Sequence, residues 1–311
     1  MWIHVIPHFS QFLKNLELKS EERADAESKA DRIARCLWNA YHTGEFNPNC
    51  YVKVGSYGKG TAARPPSDLD MLFLLPPQDY WRVNGLSGNK QSQLLQEVKS
   101  VLEWTFPKTE LRADGQVVAA PFQTYNVEVV PAFLWTDGTY RTANSANGGS
   151  WRLSNPVAEF ELLKQTDSVS AGKATDLLKM AKAWKRECSV EMKSISLEVL
   201  VCVFVEQWQF RMQTIYYYDW MVRDFFEFML RFADRGWTKV PGTAEVISLG
   251  EGWVSKARSA YGRAVKACEY ERADYGHLAT DEWQKIFGTQ FSGIPAFSMT
   301  MATLAALAAA R

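Results

Sequence analysis

Tyr51-Val52-Lys53-Val54-Gly55-Ser56-Tyr57-Gly58-Lys59-Gly60-Thr61-Ala62-Ala63-Arg64-Pro65-Pro66-Ser67-Asp68-Leu69-Asp70-Met71-Leu72-Phe73-Leu74-Leu75 is the stretch whose reading decides the fold. Tyr51 to Val54 alternates like a short strand and runs into a glycine-rich turn, Gly55 to Thr61. Arg64 to Ser67 is a loop, and the apolar run Leu69 to Leu75, stopped by Pro76-Pro77, reads as a buried strand. Asp68 and Asp70 stand at its entrance. Residues two apart on a strand project to one face, so the two carboxylates lie side by side. Like charges at the edge of a core raise each other's proton affinity unless a cation sits between them. Hard oxygen ligands suit Mg²⁺ or Mn²⁺. Gly55-Ser56 supplies a seat for a polyphosphate, because glycine lets backbone N–H groups approach closely and the Ser56 hydroxyl adds a donor.

Further along, Tyr125 to Leu134 reads as another strand and carries a lone acid, Glu128. A third carboxylate from a neighbouring strand completes a cage for two metals, about 3.5–4 Å apart in sites of this kind. Around this centre, spacings of three and four predict a long amphipathic helix over Ser20 to His42 and a second helix over Lys90 to Trp104. Two strands flank the Asp114-Gly115 turn, and Asn144 to Ser150 is a loop. After Asn155-Pro156 the character becomes helical, with helices expected over Ala171–Glu187, Ser194–Trp208, Tyr218–Arg235 and Thr243–Glu271. Ala302 to Arg311 is an Ala-rich helix or tail. The fold class is therefore α+β, with residues 1–155 forming a mixed sheet-and-helix core and residues 156–311 a helical lobe. A ligand site is expected in the cleft between them.

Composition narrows the function classes. The 311 residues are 47% hydrophobic and 23% charged, enough to bury a large core. Thirty-five basic residues balance thirty-five acidic ones, which argues against a protein that coats nucleic acid or an anionic membrane. Five dispersed cysteines without a CxxC pair, and four histidines, suggest reduced thiols and no zinc module. Val199 to Val205 is far shorter than the roughly 20 residues of a membrane span. A cytoplasmic, non-membrane protein is expected.

The string Gly55-Ser56 through Asp68-Leu69-Asp70 resembles the signature of the polymerase-beta-like nucleotidyltransferase superfamily. In its full length it is similar to the bacterial branch called CD-NTases, relatives of cyclic GMP-AMP synthase and oligoadenylate synthase. Val127-Glu128-Val129-Val130-Pro131, Leu177 to Trp184 and Ser194 to Glu198 extend the resemblance to about residue 210. The family fold is a nucleotidyltransferase core plus a C-terminal helical lobe, with the long N-terminal helix as a spine. By resemblance, Lys182 and Ser194 match positions that contact the donor triphosphate. Lys59 and Arg64, in the loop over the phosphates, are candidate clamps, and a tryptophan such as Trp104, Trp135, Trp151 or Trp184 is a candidate for base stacking. The implied activity joins two NTPs (ATP, GTP or both) with release of pyrophosphate. It yields a cyclic dinucleotide, purine-containing and of the cyclic GMP-AMP type, as a second messenger in bacterial anti-phage (CBASS) signalling. Expected partners are a regulatory protein and a downstream effector that binds the product, with no obligatory nucleic acid. A cyclic trinucleotide, a linear oligonucleotide, adenylylation of another acceptor and a non-catalytic nucleotide-binding scaffold are the alternatives.

Overall fold

The amphipathic pattern of Ser20 to His42 forms the helix α2, and the sheet it covers is built from strands whose residues alternate between two faces. The computed structural model describes residues 4–293. In chain order the helices are α1 (Val5–Leu16), α2 (Ser20–Tyr41), α3 (Gly55–Gly58), α4 (Pro77–Asn84), α5 (Lys90–Thr105), α6 (Pro156–Ser168), α7 (Lys173–Glu187), α8 (Ser194–Gln207), α9 (Tyr218–Phe232), α10 (Val254–Arg272) and α11 (Gly276–Phe287). The strands are β1 (Tyr51–Lys53), β2 (Leu69–Leu74), β3 (Arg112–Asp114), β4 (Val117–Pro121), β5 (Asn126–Leu134), β6 (Tyr140–Asn144), β7 (Ser150–Ser154), β8 (Trp237–Lys239) and β9 (Val246–Ser248).

The chain divides into two compact units. One comprises residues 18–161 with 241–243, and the other residues 1–17, 162–240 and 244–311. This differs from a division at 155/156 in two respects. The boundary falls inside α6, and the first seventeen residues belong with the helical unit. The reason for the second is visible in α1: Val5, Phe9, Phe12 and Leu16 form one fully buried stripe. Phe9 packs edge-on to Trp283, and Phe12 lies 4.7 Å from Phe287 between ring centroids. Burying four large side chains this completely is a strong hydrophobic anchor, roughly 1.5–3 kcal/mol for each.

The first unit is a seven-stranded mixed sheet in the order β1-β2-β5-β4-β3, with β6 paired to the far end of β5 and β7 to β6. β2 and β5 run parallel, and every other pair in the sheet is antiparallel. Leu69, Met71, Phe73, Val127, Val129 and Phe133 point to one face and meet α2 and α5 there, in the main core with Ile33, Leu37, Leu94 and Val98. The opposite face carries a small apolar group, Leu72, Ala132 and Tyr140 with Val52, Val54 and Val130 around it. The carboxylates share that second face.

The second unit is helical, as expected, with two differences. The expected helix over Thr243–Glu271 starts only at Val254, because Val246–Ser248 pairs with Trp237–Lys239 as a hairpin and Gly250 follows at φ +65°. α11 adds a helix through the buried stripe Ala279, Trp283, Ile286 and Phe287. Ala302 to Arg311 lies outside the described residues. All five cysteines are free thiols. Among the described residues, no helix is long and apolar enough to cross a membrane.

Candidate active site

β2 and β5 decide where the acids stand. Their parallel register sets Leu69 opposite Val127 and Asp70 opposite Glu128. Leu69 and Val127 are fully buried on the core side, so alternation turns Asp70 and Glu128 together to the other face. Asp68, two residues before Asp70, projects the same way, and its Oδ1 accepts a hydrogen bond of 2.8 Å from Asn126 Nδ2 on β5. All three acids thus arise from two adjacent strand entrances.

The electrostatics follow from that crowding. Burial, and then the charges of Glu128 and Asp68, push the Asp70 carboxyl up to about 7. Glu128 is also raised, by burial first and Asp68 second, and its hydrogen bond with Asp70 works in the other direction. Their shared hydrogen bond raises Asp70 and lowers Glu128, so of the two it is Asp70 that more readily carries a proton. Among the described residues no three His, Cys, Asp or Glu side chains already surround one point. Asp68 instead accepts its hydrogen bond from the Asn126 amide. The donor set nevertheless fits a hard divalent cation. Asp68 is close enough for its charge to raise both Asp70 and Glu128, so a third carboxylate stands near the pair, and a cation there would offset the repulsion among them.

The glycine-rich turn is fitted against this pair. Gly55 has φ +57°, and a Cβ placed there would stand 2.0 Å from Asp70 Oδ2. Only glycine permits both the left-handed backbone and the approach of the carboxylate. Gly58 is equally constrained, since a Cβ there would meet the Lys53 carbonyl at 2.2 Å. The Val54 N–H bonds to the Asp70 carbonyl at 2.9 Å, which ties the turn to β2. Ser56 is the second residue of the one-turn helix α3, immediately after this approach.

The remaining expected site residues are distributed differently. Lys59 is directed at Glu159 on α6, with its Nζ 2.9 Å from Oε2. Arg64 pairs with Glu22 on α2, Nε to Oε1 at 3.2 Å. Lys182, on α7, and Ser194, the first residue of α8, belong to the helical unit, where the Ser194 hydroxyl accepts from Lys185 Nζ at 3.1 Å. Of the four candidate tryptophans, Trp184 is fully buried in the helical unit and Trp104 is 90% exposed. Trp135 and Trp151 pack with Tyr80 on the main-core side of the sheet. The aromatics beside the turn are instead Tyr140 and Phe160. With Val52, Val54 and Val157 they wall a cavity of about 250 Å³ that Gly55, Lys59 and Glu159 also line. Glu159 and Phe160 lie in a helix start that the sequence signals, through Asn155-Pro156, but whose partners it does not.

Residues 3–167, just over half of the chain, match the Second Messenger Oligonucleotide or Dinucleotide Synthetase domain. The chain belongs to this family. It is a nucleotidyltransferase of the CD-NTase type, and the family depends on divalent metal. Solved structures of similar fold include CdnC of E. coli MS115-1 with ATP, at a TM-score of 0.64 and 16% identity over 94% of this chain and 100% of that one. The Vibrio cholerae DncV cyclic AMP-GMP synthase, in complex with the linear intermediate 5′ pppA(3′,5′)pG, aligns with a TM-score of 0.73 and 13% identity, over 92% of this chain and 96% of that one. The CD-NTase CdnG of Bradyrhizobium diazoefficiens, in complex with GTP, aligns at 0.66 with 10% identity over 92% and 96%. At these identities the likeness establishes the fold. A sequence comparison with curated proteins finds no match.

Proposed function

We propose that this chain makes a cyclic dinucleotide second messenger, purine-containing and of the cyclic GMP-AMP type, from two NTPs, and that Asp68, Asp70 and Glu128 carry the chemistry. The observation that supports this reading is the register of Asp70 with Glu128 directly over Gly55. Acids are brought together there against a glycine backbone that lets the Asp70 carboxylate approach closely. Asp68, Asp70 and Glu128 would hold Mg²⁺ or Mn²⁺, two ions when both nucleotides are present. Bound there, the metal supplies charge neutralisation for the triphosphate and acidifies a coordinated hydroxyl.

The chain's own residues do the rest. Gly55 and Ser56 present N–H and hydroxyl donors to the donor triphosphate, and by the family resemblance Lys182 and Ser194 are further candidate contacts to it. Glu128 orients the acceptor ribose hydroxyl and takes its proton. That oxygen forms a bond to the donor α-phosphorus as the bond to pyrophosphate breaks. A second round within the linear intermediate closes the ring and releases a second pyrophosphate. A CdnC structure of similar fold is of a CdnC:HORMA-deltaN complex. With a formal net charge of zero on this chain, a regulatory protein, not a nucleic-acid duplex, is the fitting partner in anti-phage signalling, with a separate effector reading the product.

Incubation of the nuclease-treated protein with labelled ATP, GTP, CTP and UTP and Mg²⁺ or Mn²⁺, followed by phosphatase and mass spectrometry, tests the reading. A phosphatase-resistant dinucleotide made without added DNA or RNA is expected. A linear product that retains its 5′ triphosphate, a trinucleotide ring, or a ten-fold dependence on either duplex overturns the corresponding part.

A further inference from the structure

We propose that Glu159 is a positioning residue that holds the Lys59 ammonium away from the carboxylate site and so sets how tightly that site takes a divalent cation. The inference rests on reading Asp68, Asp70 and Glu128 as the cation ligands. It starts from the one-turn helix α3. Lys59 follows Gly55 by four residues, and its N–H bonds to the Gly55 carbonyl at 3.2 Å, so the two lie on the same side of the turn. Gly55 is the residue that Asp70 Oδ2 overlies. The turn thereby delivers an ammonium next to the acids, and this ammonium works against the burial that raises the Asp70 carboxyl.

The Lys59 side chain is only 8% exposed, so its charge must be met inside the protein. Glu159 meets that charge directly, while the carboxylates at the strand entrances are near enough for Asp70 to feel it. A lysine ammonium is a compact, strongly hydrated cation on a flexible stem, and in a nest of hard oxygens it competes directly with a metal ion. Glu159 is built to win that competition. It lies in the first turn of α6, where the helix N-terminus favours an acid. Asn155 fixes that turn by accepting from the Ala158 N–H at 3.1 Å through its side chain and from the Glu159 N–H at 3.3 Å through its carbonyl. Both side chains line a cavity of about 250 Å³ that also reaches Gly55, the residue Asp70 overlies.

The experiment is a Mn²⁺ titration, followed by electron paramagnetic resonance and by calorimetry, on the full chain without nucleotide. The proteins compared are wild type, Glu159→Gln, Glu159→Asp, Lys59→Met and the double variant Lys59→Met/Glu159→Gln, with Asp70→Asn as the control for the site itself. Glu159→Gln is expected to weaken Mn²⁺ binding about ten-fold, the scale of one close charge pair in a partly wet site. The double variant is expected to regain at least wild-type affinity, and Glu159→Asp to fall between wild type and Glu159→Gln. Unchanged binding in Glu159→Gln overturns the proposal, and so does a double variant as weak as Glu159→Gln, since Glu159 would then act without Lys59. Should Glu159→Gln not fold, Lys59→Met alone decides: it must bind Mn²⁺ at least as tightly as wild type, and weaker binding overturns the proposal. Equal binding by wild type and Asp70→Asn would sink the cation-site reading beneath it, an outcome separate from the others.

Discussion

Asp70 beside Glu128 and Asp219 beside Glu271 are two pairs of acids, one in each unit, and in both the aspartate carboxyl is pushed up to about 7, chiefly by burial. Their surroundings differ. Asp219 and Glu271 are 1% and 0% exposed, sealed among α9 and α10, with His8 Nδ1 3.1 Å from Glu271 Oε1. Asp219 Oδ2 and Glu271 Oε2 have no hydrogen-bond partner among the described residues. Asp70 is only partly buried, faces a glycine backbone and has Asp68 and Glu128 on its open side. A displaced acidity is therefore common to both pairs and does not distinguish them. What distinguishes a site from a sealed polar core is a face left open to a ligand.

Five substitutions press on that comparison, beginning with the largest effect. Asp70→Asn is expected to lower product formation by roughly 1,000-fold or more, as for loss of a group that stabilises the transition state. Its unfolding stability in EDTA should hold or rise, because a repelling, desolvated acid is gone. Product assays with thermal unfolding check both, and near-wild-type synthesis would remove Asp70 from the site. Gly55→Ala comes next. The new Cβ collides with Asp70 Oδ2 on a left-handed backbone, so activity should fall steeply, with a stability loss of about 1–3 kcal/mol. Wild-type kinetics in that variant would mean that the turn and Asp70 are not in register.

If Lys182 and Ser56 contact the triphosphate as proposed, Lys182→Ala and Ser56→Ala are each expected to cost about 1.5–3 kcal/mol, or roughly 10-fold to 150-fold in NTP affinity. Titration with a non-hydrolysable NTP measures it, and unchanged affinity in both would take them out of the site.

The smallest effect belongs to the sealed pair. Asp219 has a higher pKa folded than unfolded, so the folded state holds the extra proton between about 4 and 7. Its contribution to stability is complete below about pH 4 and is lost as pH rises toward 7, at a limiting slope of about 1.4 kcal/mol per pH unit. Asp219→Asn should flatten that part of the stability-against-pH curve and leave nucleotide transfer unaltered. An unflattened curve would show that Asp219 does not carry the proton.

Much of the acid-bearing site was legible beforehand for a local reason. Asp68, Asp70 and their turn fall within sixteen residues, and strand alternation alone puts two of the acids on one face. Where sequence reading fell short, the missing information was long-range. α1 carries a plain stripe in Val5, Phe9, Phe12 and Leu16, but its burial depends on Trp283 and Phe287, some 270 residues away. β6 and β7 are short and mixed in polarity, and pairing with the end of β5 makes them strands. Lys59 and Arg64 are loop cations whose acidic partners are not visible in the sequence. Folding supplies Glu159 and Glu22.

By itself the sequence determined the α+β class, the family signature, the glycine turn and the order of the three acids, because each depends on neighbours within a turn or a strand. Only the tertiary structure decided which acids touch. Parallel pairing of β2 with β5 sets Asp70 against Glu128 across 58 residues, leaves Asp68 to Asn126, and lays Asp70 over Gly55. Register is a property of two strands packed on a shared core, and neither strand carries it alone.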